Sequence, residues 1–212
     1  MTINNPNLQK IKSDLIGSNS KLLIVTKNQD IGDIQTLYDT GHRLFGENKV
    51  QEAKKKFANF DPHKIELHLI GPLQTNKVKD ALKTFDTIQS IDREKLVEEI
   101  IKELKTNKPY KTKEFFIQIN IGNENQKSGI SKTNIKDFFN LCVFKGLNIR
   151  GLMCIPPLEE EPDLYFKEMQ KIREDINPNL LLSMGMSYDY QIALKYQTNI
   201  IRIGSKIFEK NI

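Results

Sequence analysis

Short apolar runs alternate with helical segments along nearly the whole chain, and this alternation restricts the fold more than any other feature of the sequence. The apolar runs are short and rich in β-branched residues, as in strands that are buried on both faces. They predict strands at residues 22–25, 43–45, 65–70, 87–91, 115–121, 147–155, 180–184 and 200–203. A helical pattern follows each run, which is the order of elements in an α/β fold of the (β/α)8 TIM-barrel type.

The helices are predicted from apolar residues at helical spacing and from residues suited to helix ends. They cover residues 6–16, 30–38, 48–57, 74–82, 92–104, 135–143, a segment opened by the acidic residues 159–163, residues 187–194, and a short helix after Gly204. Asn48 is placed to cap its helix, with Gln51 at capping-box spacing, and Asp92 and Ser187 are expected to start theirs. Residues 106–113 are predicted to form a surface loop.

The number of strands favours a closed barrel over an open doubly wound sheet, although the same alternation fits both. No linker rich in Pro, Gly or Ser divides the chain, so we expect residues 1–212 to form a single domain.

The composition argues against several classes of protein. The net charge of +5 comes from basic residues interleaved with acidic ones, which indicates a mixed solvated surface rather than a nucleic-acid site. Cys142 and Cys154 form no CxxC pair, and the sequence shows no signal peptide and no apolar run of roughly 20 residues, so we expect a cytoplasmic protein outside the membrane. The histidines lack metal-ligand spacing, so we expect no structural metal.

Polar or small residues follow most of the predicted strands. In a (β/α)8 barrel the turns after the strands form the face that carries the active site. The residues at these turns are Lys27, Asn48, Gly71, Asn120, Ser187, Gly204 and Ser205. A structural role is open for several of them, since Asn48 and Ser187 suit helix caps and the glycines suit turns.

The last two turns of such barrels commonly bind phosphate, and the hydroxyls of Ser187 and Ser205 suit that role. Arg202 lies two residues before Gly204, so strand alternation can turn its guanidinium towards the barrel mouth; an ion pair with a barrel carboxylate is the alternative. A lysine facing a phosphate site suggests a phosphorylated aldehyde held as a Schiff base, as in pyridoxal 5′-phosphate (PLP). A phosphosugar aldolase would use the same parts.

Eight ordered stretches carry a resemblance to a known family. They are IVTK ending at Lys27, FGENKVQEA (45–53), LHLIGPLQTNK (67–77), QSIDR (89–93), KSG (127–129), RGLMCIPP (150–157), LSMGMSYD (182–189) and RIGSKIF (202–208). With these stretches the chain resembles the YggS/PROSC family of PLP homeostasis proteins from about residue 21 to residue 208. The family's fold is like the barrel domain of alanine racemase.

The resemblance implies PLP as the cofactor and a role for each matched residue. Lys27 is implied as the Schiff-base lysine, Asn48 as a polar wall residue near the cofactor, and Arg202 as the residue that faces the pyridine nitrogen. Ser187, Gly204 and Ser205 are implied around the phosphate. The chain departs from the family at Pro72 (usually His), Thr75 (usually Ser), Ser205 (usually Thr, with the hydroxyl kept) and Glu209 (usually Gly).

Arg202 bears on whether the protein is an enzyme. A guanidinium only donates hydrogen bonds, so beside the pyridine nitrogen it leaves that nitrogen unprotonated and weakens the cofactor as an electron sink. We also expect no second domain with an opposing base, so the resemblance implies a non-catalytic protein that buffers PLP or delivers it to apo-enzymes. We expect the protein to be a monomer. An amino-acid racemase is the open alternative.

Overall fold

The computed structural model describes residues 3–106, 108–124 and 126–208, and within these residues eight parallel strands close into a barrel. The strands are β1 (Lys21–Val25), β2 (Leu44–Glu47), β3 (Glu66–Leu69), β4 (Thr87–Ile91), β5 (Glu114–Asn120), β6 (Ile130–Ser131), β7 (Ile149–Cys154), β8 (Leu181–Ser183) and β9 (Ile200–Ile203). The short strand β6 pairs only with β5, and the other strands form the ring. The predicted (β/α)8 barrel is confirmed.

Helices alternate with the strands of the ring. They are α1 (Asn5–Asp14), α2 (Ile31–Asp39), α3 (Val50–Lys56), α4 (Val78–Thr84), α5 (Glu94–Leu104), α6 (Ile135–Phe144), α7 (Pro162–Ile176), α8 (Tyr190–Lys195) and α9 (Ser205–Phe208), with a 3-10 turn at Thr75–Lys77 before α4. None of the helices within the described ranges is both long and apolar enough to cross a bilayer.

Two pairings close the ring. β4 pairs with β5, and the first strand pairs with the last, with Leu23 opposite Arg202 and Ile24 opposite Ile203. Both pairings are parallel, so the carboxyl ends of all ring strands meet at one mouth.

Strand alternation divides the core into two parts. Residues on the outer faces, such as Ile24 and Phe45, join a large cluster that includes helix residues such as Leu96 and Ile100 of α5. A smaller cluster fills part of the lumen; its buried members are Leu23, Leu44, Phe116, Met153 and Ile200. Polar side chains occupy other parts of the lumen, as described below.

The three helix starts predicted at Asn48, Asp92 and Ser187 are wrong. α3 begins after Lys49, which is still extended, and no side chain caps it, so Asn48 lies outside the helix. α5 begins after Arg93, and the carboxylate of Asp92 instead accepts a hydrogen bond from Arg93 Nη1 at 2.5 Å. α8 begins at Tyr190, which leaves Ser187 in the preceding turn. In each case the backbone continues past the expected cap before it turns into the helix.

A surface loop is predicted at residues 106–113, and its described residues 108–113 lie partly in the interior. Tyr110 and Thr112 are buried. The backbone N–H of Thr112 donates to Leu82 O at the end of α4, and its hydroxyl donates to Phe85 O at 2.7 Å. These bonds replace the water that a surface loop would use.

We expect Gly71→Ala to destabilise the fold, because Gly71 lies directly against the backbone after β2. A Cβ at Gly71 would contact the carbonyl oxygen of Asn48 and lie 2.7 Å from its Cα, so the backbone would have to move. The expected loss is about 1–3 kcal/mol, as for other overpacked sites. Gly32→Ala is the control, since a Cβ there meets no atom within 4 Å. Urea unfolding of both variants tests this, and equal stability of the two would contradict it.

Candidate functional site

A cavity of about 490 Å³ opens at the barrel mouth between the ends of β1, β8 and β9. Five of the predicted site residues line it: Lys27, Ser187, Arg202, Gly204 and Ser205. The volume falls within the range of about 300–1,000 Å³ that is usual for small-molecule pockets. The structure therefore brings together residues that lie near opposite ends of the sequence.

Asn48 is the predicted site residue that does not line this cavity. It lies in an adjoining cavity of about 270 Å³ at the same mouth, together with Gly71, Pro72, Asn120 and Lys127. The departure at Pro72 thus falls in the wall of the adjoining cavity, and the departure at Glu209 lies outside the described residues.

The backbone on both sides of Lys27 is held by charged groups of α3. Lys56 Nζ donates to Thr26 O at 2.5 Å, directly before Lys27. Glu52 Oε1 accepts from the N–H of Asn28 at 2.8 Å, directly after it. Asn28 has φ of 61°, in the left-handed region where Asn is one of the more tolerated residues. Lys27 therefore leaves β1 from a backbone that is fixed at two consecutive peptide groups.

The same charges form a buried network. Lys56 Nζ lies 2.6 Å from Glu52 Oε1 and 3.0 Å from Oε1 of Glu47, which is fully buried and also accepts from the Thr26 hydroxyl. Burial raises the pKa of Glu47, against the hydrogen bonds from Thr26 and Lys56. Burial also acts to raise the pKa of Glu52, but bonds from Lys56 and Asn28 outweigh it and the pKa is lowered.

Arg202 is a buried cation whose hydrogen-bond partners are all neutral. Nη1 donates to Ser183 O at 2.6 Å and to Ser183 Oγ at 2.9 Å, and Nη2 donates to Cys154 O at 2.8 Å. Burial lowers its pKa, partly offset by the nearby Cys154 and Asp189. The alternative of an ion pair with a barrel carboxylate is wrong, since no carboxylate lies within 4 Å of this guanidinium in the described part of the chain.

The two hydroxyls of the cavity come from different turns. Ser187 is buried and lies in the turn between β8 and α8, while Ser205 is exposed and begins α9. The N–H of Lys206 approaches Ser187 Oγ at 3.5 Å, so the two turns lie side by side.

Six residues of the cavity wall were not predicted as site residues: Val25, Asn28, Gln29, Leu158, Met186 and Tyr188. Leu158 and Tyr188 are large side chains that are 86% and 81% exposed. A signal for them was available, because Leu158 directly follows the Pro156–Pro157 pair and Tyr188 follows Ser187. Among residues 3–106, 108–124 and 126–208, no three His, Cys, Asp or Glu side chains are grouped as metal ligands.

Comparisons with known proteins agree on one family. The family model "Alanine racemase, N-terminal domain" matches residues 5–211. A pyridoxal phosphate homeostasis protein of Aquifex aeolicus is 34% identical over 198 residues, which cover 89% of this chain and 86% of that protein. The protein of the same name from Haemophilus influenzae is 37% identical, over 89% and 84%. The structure of PipY of Synechococcus elongatus PCC7942 with PLP bound superposes with a TM-score of 0.82 at 28% identity, covering 96% of this chain and 98% of that one.

We expect Lys56→Met to destabilise the fold by about 3–5 kcal/mol at neutral pH, because it leaves the buried carboxylate of Glu47 without its cation. Protonation of Glu47 neutralises this unpaired charge. The pKa of Glu47 is already raised in the parent, so the loss of stability should become smaller as the pH falls towards the ordinary pKa of a glutamate.

Lys54→Met on the same helix is the control, since the Lys54–Asp80 pair is half exposed and should contribute at most about 1 kcal/mol. Urea unfolding at neutral and mildly acid pH measures both variants. Equal losses at the two pH values for Lys56→Met would contradict the assignment of the cost to Glu47.

Proposed function

We propose that this chain, which belongs to the family of pyridoxal phosphate homeostasis proteins with the alanine racemase N-terminal domain, binds PLP in the cavity at the ends of β1 and β9. The observation that carries the proposal is the combination of an amine, a buried guanidinium without a carboxylate partner, and two hydroxyls in one cavity. PLP presents an aldehyde, a phosphate and a pyridine nitrogen, and each group has a matching partner among these side chains.

Lys27 is the partner for the aldehyde. Lys27 lines the cavity and extends from a backbone held by Lys56 and Glu52, and no hydrogen bond or ion pair of its amine is found among the residues the structure describes. An amine held in this way can form a Schiff base with a bound aldehyde.

Ser187, Gly204 and Ser205 are the partners for the phosphate. The hydroxyls of Ser187 and Ser205 can donate to anionic oxygens, and Gly204 lines the same cavity between them, with its missing side chain leaving β9 close to Val25 of β1. The side chain of Lys206 lies near the rings of Tyr188 and Tyr190 and adds positive charge beside these turns. Asn48 remains a predicted wall residue, reached from the adjoining cavity.

Arg202 is the partner for the pyridine nitrogen. PLP is a strong electron sink when that nitrogen is protonated. Arg202 holds its own protons and only donates, so it keeps the nitrogen in the accepting, unprotonated form. The site therefore favours holding the cofactor over chemistry on a bound amino acid, and we propose that the protein buffers or delivers PLP without turnover. The names of the relatives support this role.

Three further parts of the proposal concern the protein's setting. A cytoplasmic location is supported by Cys142 and Cys154, which are both free and buried. Apo-forms of PLP-dependent enzymes are the proposed recipients of the cofactor. The monomeric state stays a prediction.

We expect borohydride to fix PLP on Lys27. Reduction of the cofactor-loaded protein should add hydride to the C=N bond and leave a stable secondary amine, which peptide mass mapping locates. Lys27→Ala should lose nearly all of the adduct, whereas Lys55→Ala, an exposed residue of α3 away from the cavity, should retain it. An adduct on another lysine in the parent protein would contradict the assignment of Lys27.

We expect the PLP-loaded protein not to exchange the α-hydrogen of amino acids with solvent faster than free PLP does. Proton NMR in deuterated water, with free PLP and Lys27→Ala as controls, measures the rate. Exchange well above free PLP that is lost in Lys27→Ala would instead favour the racemase alternative.

A further inference from the structure

A chain of hydrogen-bonded side chains crosses the barrel lumen. Arg202 Nη1 lies 2.9 Å from Ser183 Oγ, which lies 2.6 Å from Gln89 Oε1. Gln89 Nε2 lies 2.7 Å from His68 Nδ1, and His68 Nε2 lies 2.9 Å from Glu66 Oε1. Every member except Glu66 is at most 4% exposed. The chain thus connects the cofactor cavity to a carboxylate at the amino end of β3.

The two ends of the chain determine its direction. A guanidinium only donates and a carboxylate only accepts. Ser183 Oγ accepts a hydrogen bond from Arg202, so the Ser183 hydroxyl donates its own hydrogen bond to the amide oxygen of Gln89. The amide NH2 of Gln89 then faces Nδ1 of His68, and the ring proton lies on Nε2, where Glu66 accepts it. All four links point the same way, which lets each bond strengthen its neighbours.

We infer that Gln89 is a positioning residue for Arg202. The inference rests on the proposed function only in that Arg202 is proposed to face the pyridine nitrogen of PLP. Gln89 lies on β4, three strands around the ring from Ser183 on β8, and it lines none of the cavities found at the mouth among the described residues. It acts by accepting the hydroxyl hydrogen of Ser183. The lone pairs of that hydroxyl then remain turned towards the guanidinium.

The orientation of Arg202 depends on this arrangement because Ser183 and Cys154 hold its two terminal nitrogens. With both nitrogens held, the guanidinium plane is fixed relative to the cavity. Removing the acceptor at position 89 leaves the buried hydroxyl hydrogen of Ser183 without a partner. The hydroxyl can then rotate so that this hydrogen points towards Arg202, where it disrupts the hydrogen bond from the guanidinium.

Three variants separate positioning from a general loss of structure. Gln89→Met keeps the length of the side chain but removes the acceptor. Gln89→Glu keeps an acceptor for Ser183 whether its carboxyl is ionised or protonated. Ser90→Ala is the matched control, since Ser90 lies on the same strand, is fully buried, and its hydroxyl has no hydrogen-bond partner in the described residues.

The first measurement is the 15N NMR spectrum of the arginine side chains in cofactor-free protein, with the Arg202 signals assigned from Arg202→Lys. We expect slowly exchanging Arg202 Nη protons in the parent, in Gln89→Glu and in Ser90→Ala, and their loss in Gln89→Met. Unchanged Arg202 signals in Gln89→Met, or the same loss in Ser90→Ala, would overturn the inference.

The second measurement needs no variant and also decides the question if Gln89→Met does not fold. The ring 15N shifts of His68 in the parent should show a proton on Nε2 and none on Nδ1. A proton on Nδ1 would turn the Gln89 amide around, take its oxygen away from Ser183, and overturn the inference.

The third measurement connects the inference to the cofactor. Gln89→Met should weaken PLP binding roughly three- to tenfold, the effect of one hydrogen bond of ordinary strength, while Gln89→Glu and Ser90→Ala should bind as the parent does. Unchanged PLP binding in Gln89→Met would contradict a role for Gln89 at the cofactor. A parent protein that does not bind PLP would contradict the proposed function instead, and the two NMR measurements would still judge the positioning of Arg202.

Discussion

The parallel pairing of β1 with β9 is the interaction on which the site depends. It places Ile24 opposite Ile203, so Lys27 near the start of the chain lies beside the turn formed by Gly204 and Ser205 near its end. Because the ring is closed and all its strands are parallel, the turns after the strands share one mouth. The cavity is therefore a product of closure, since β1 and β9 contribute to it from opposite ends of the chain.

The lumen combines apolar packing with buried polar groups. Leu23, Phe116 and Met153 fill part of it, while Arg202 is held by neutral acceptors and by a hydrogen-bonded chain that ends at Glu66. A buried polar group destabilises the fold unless it has a partner, and the hydrogen-bonded series from Arg202 to Glu66 gives each of its members one. The same bonds that satisfy these groups also fix the orientation of the guanidinium.

The sequence predicted the barrel and five residues of its cavity because both depend on local patterns: strand and helix periodicity, and the position of a residue after its strand. Lys27 and Ser205 are examples. The helix caps were missed because Lys49 and Arg93 stay extended, which no pattern at Asn48 or Asp92 reveals. The role of Gln89 could not be read from the sequence either, since its partner Ser183 is 94 positions away and faces it only after closure.

A crystal structure of the protein grown with PLP tests the central claim most directly. The account predicts continuous density from Lys27 Nζ to the cofactor, with the phosphate beside Ser187 and Ser205 and the pyridine nitrogen facing Arg202. Density that joins the cofactor to a different lysine, such as Lys127 in the adjoining cavity, would contradict the account.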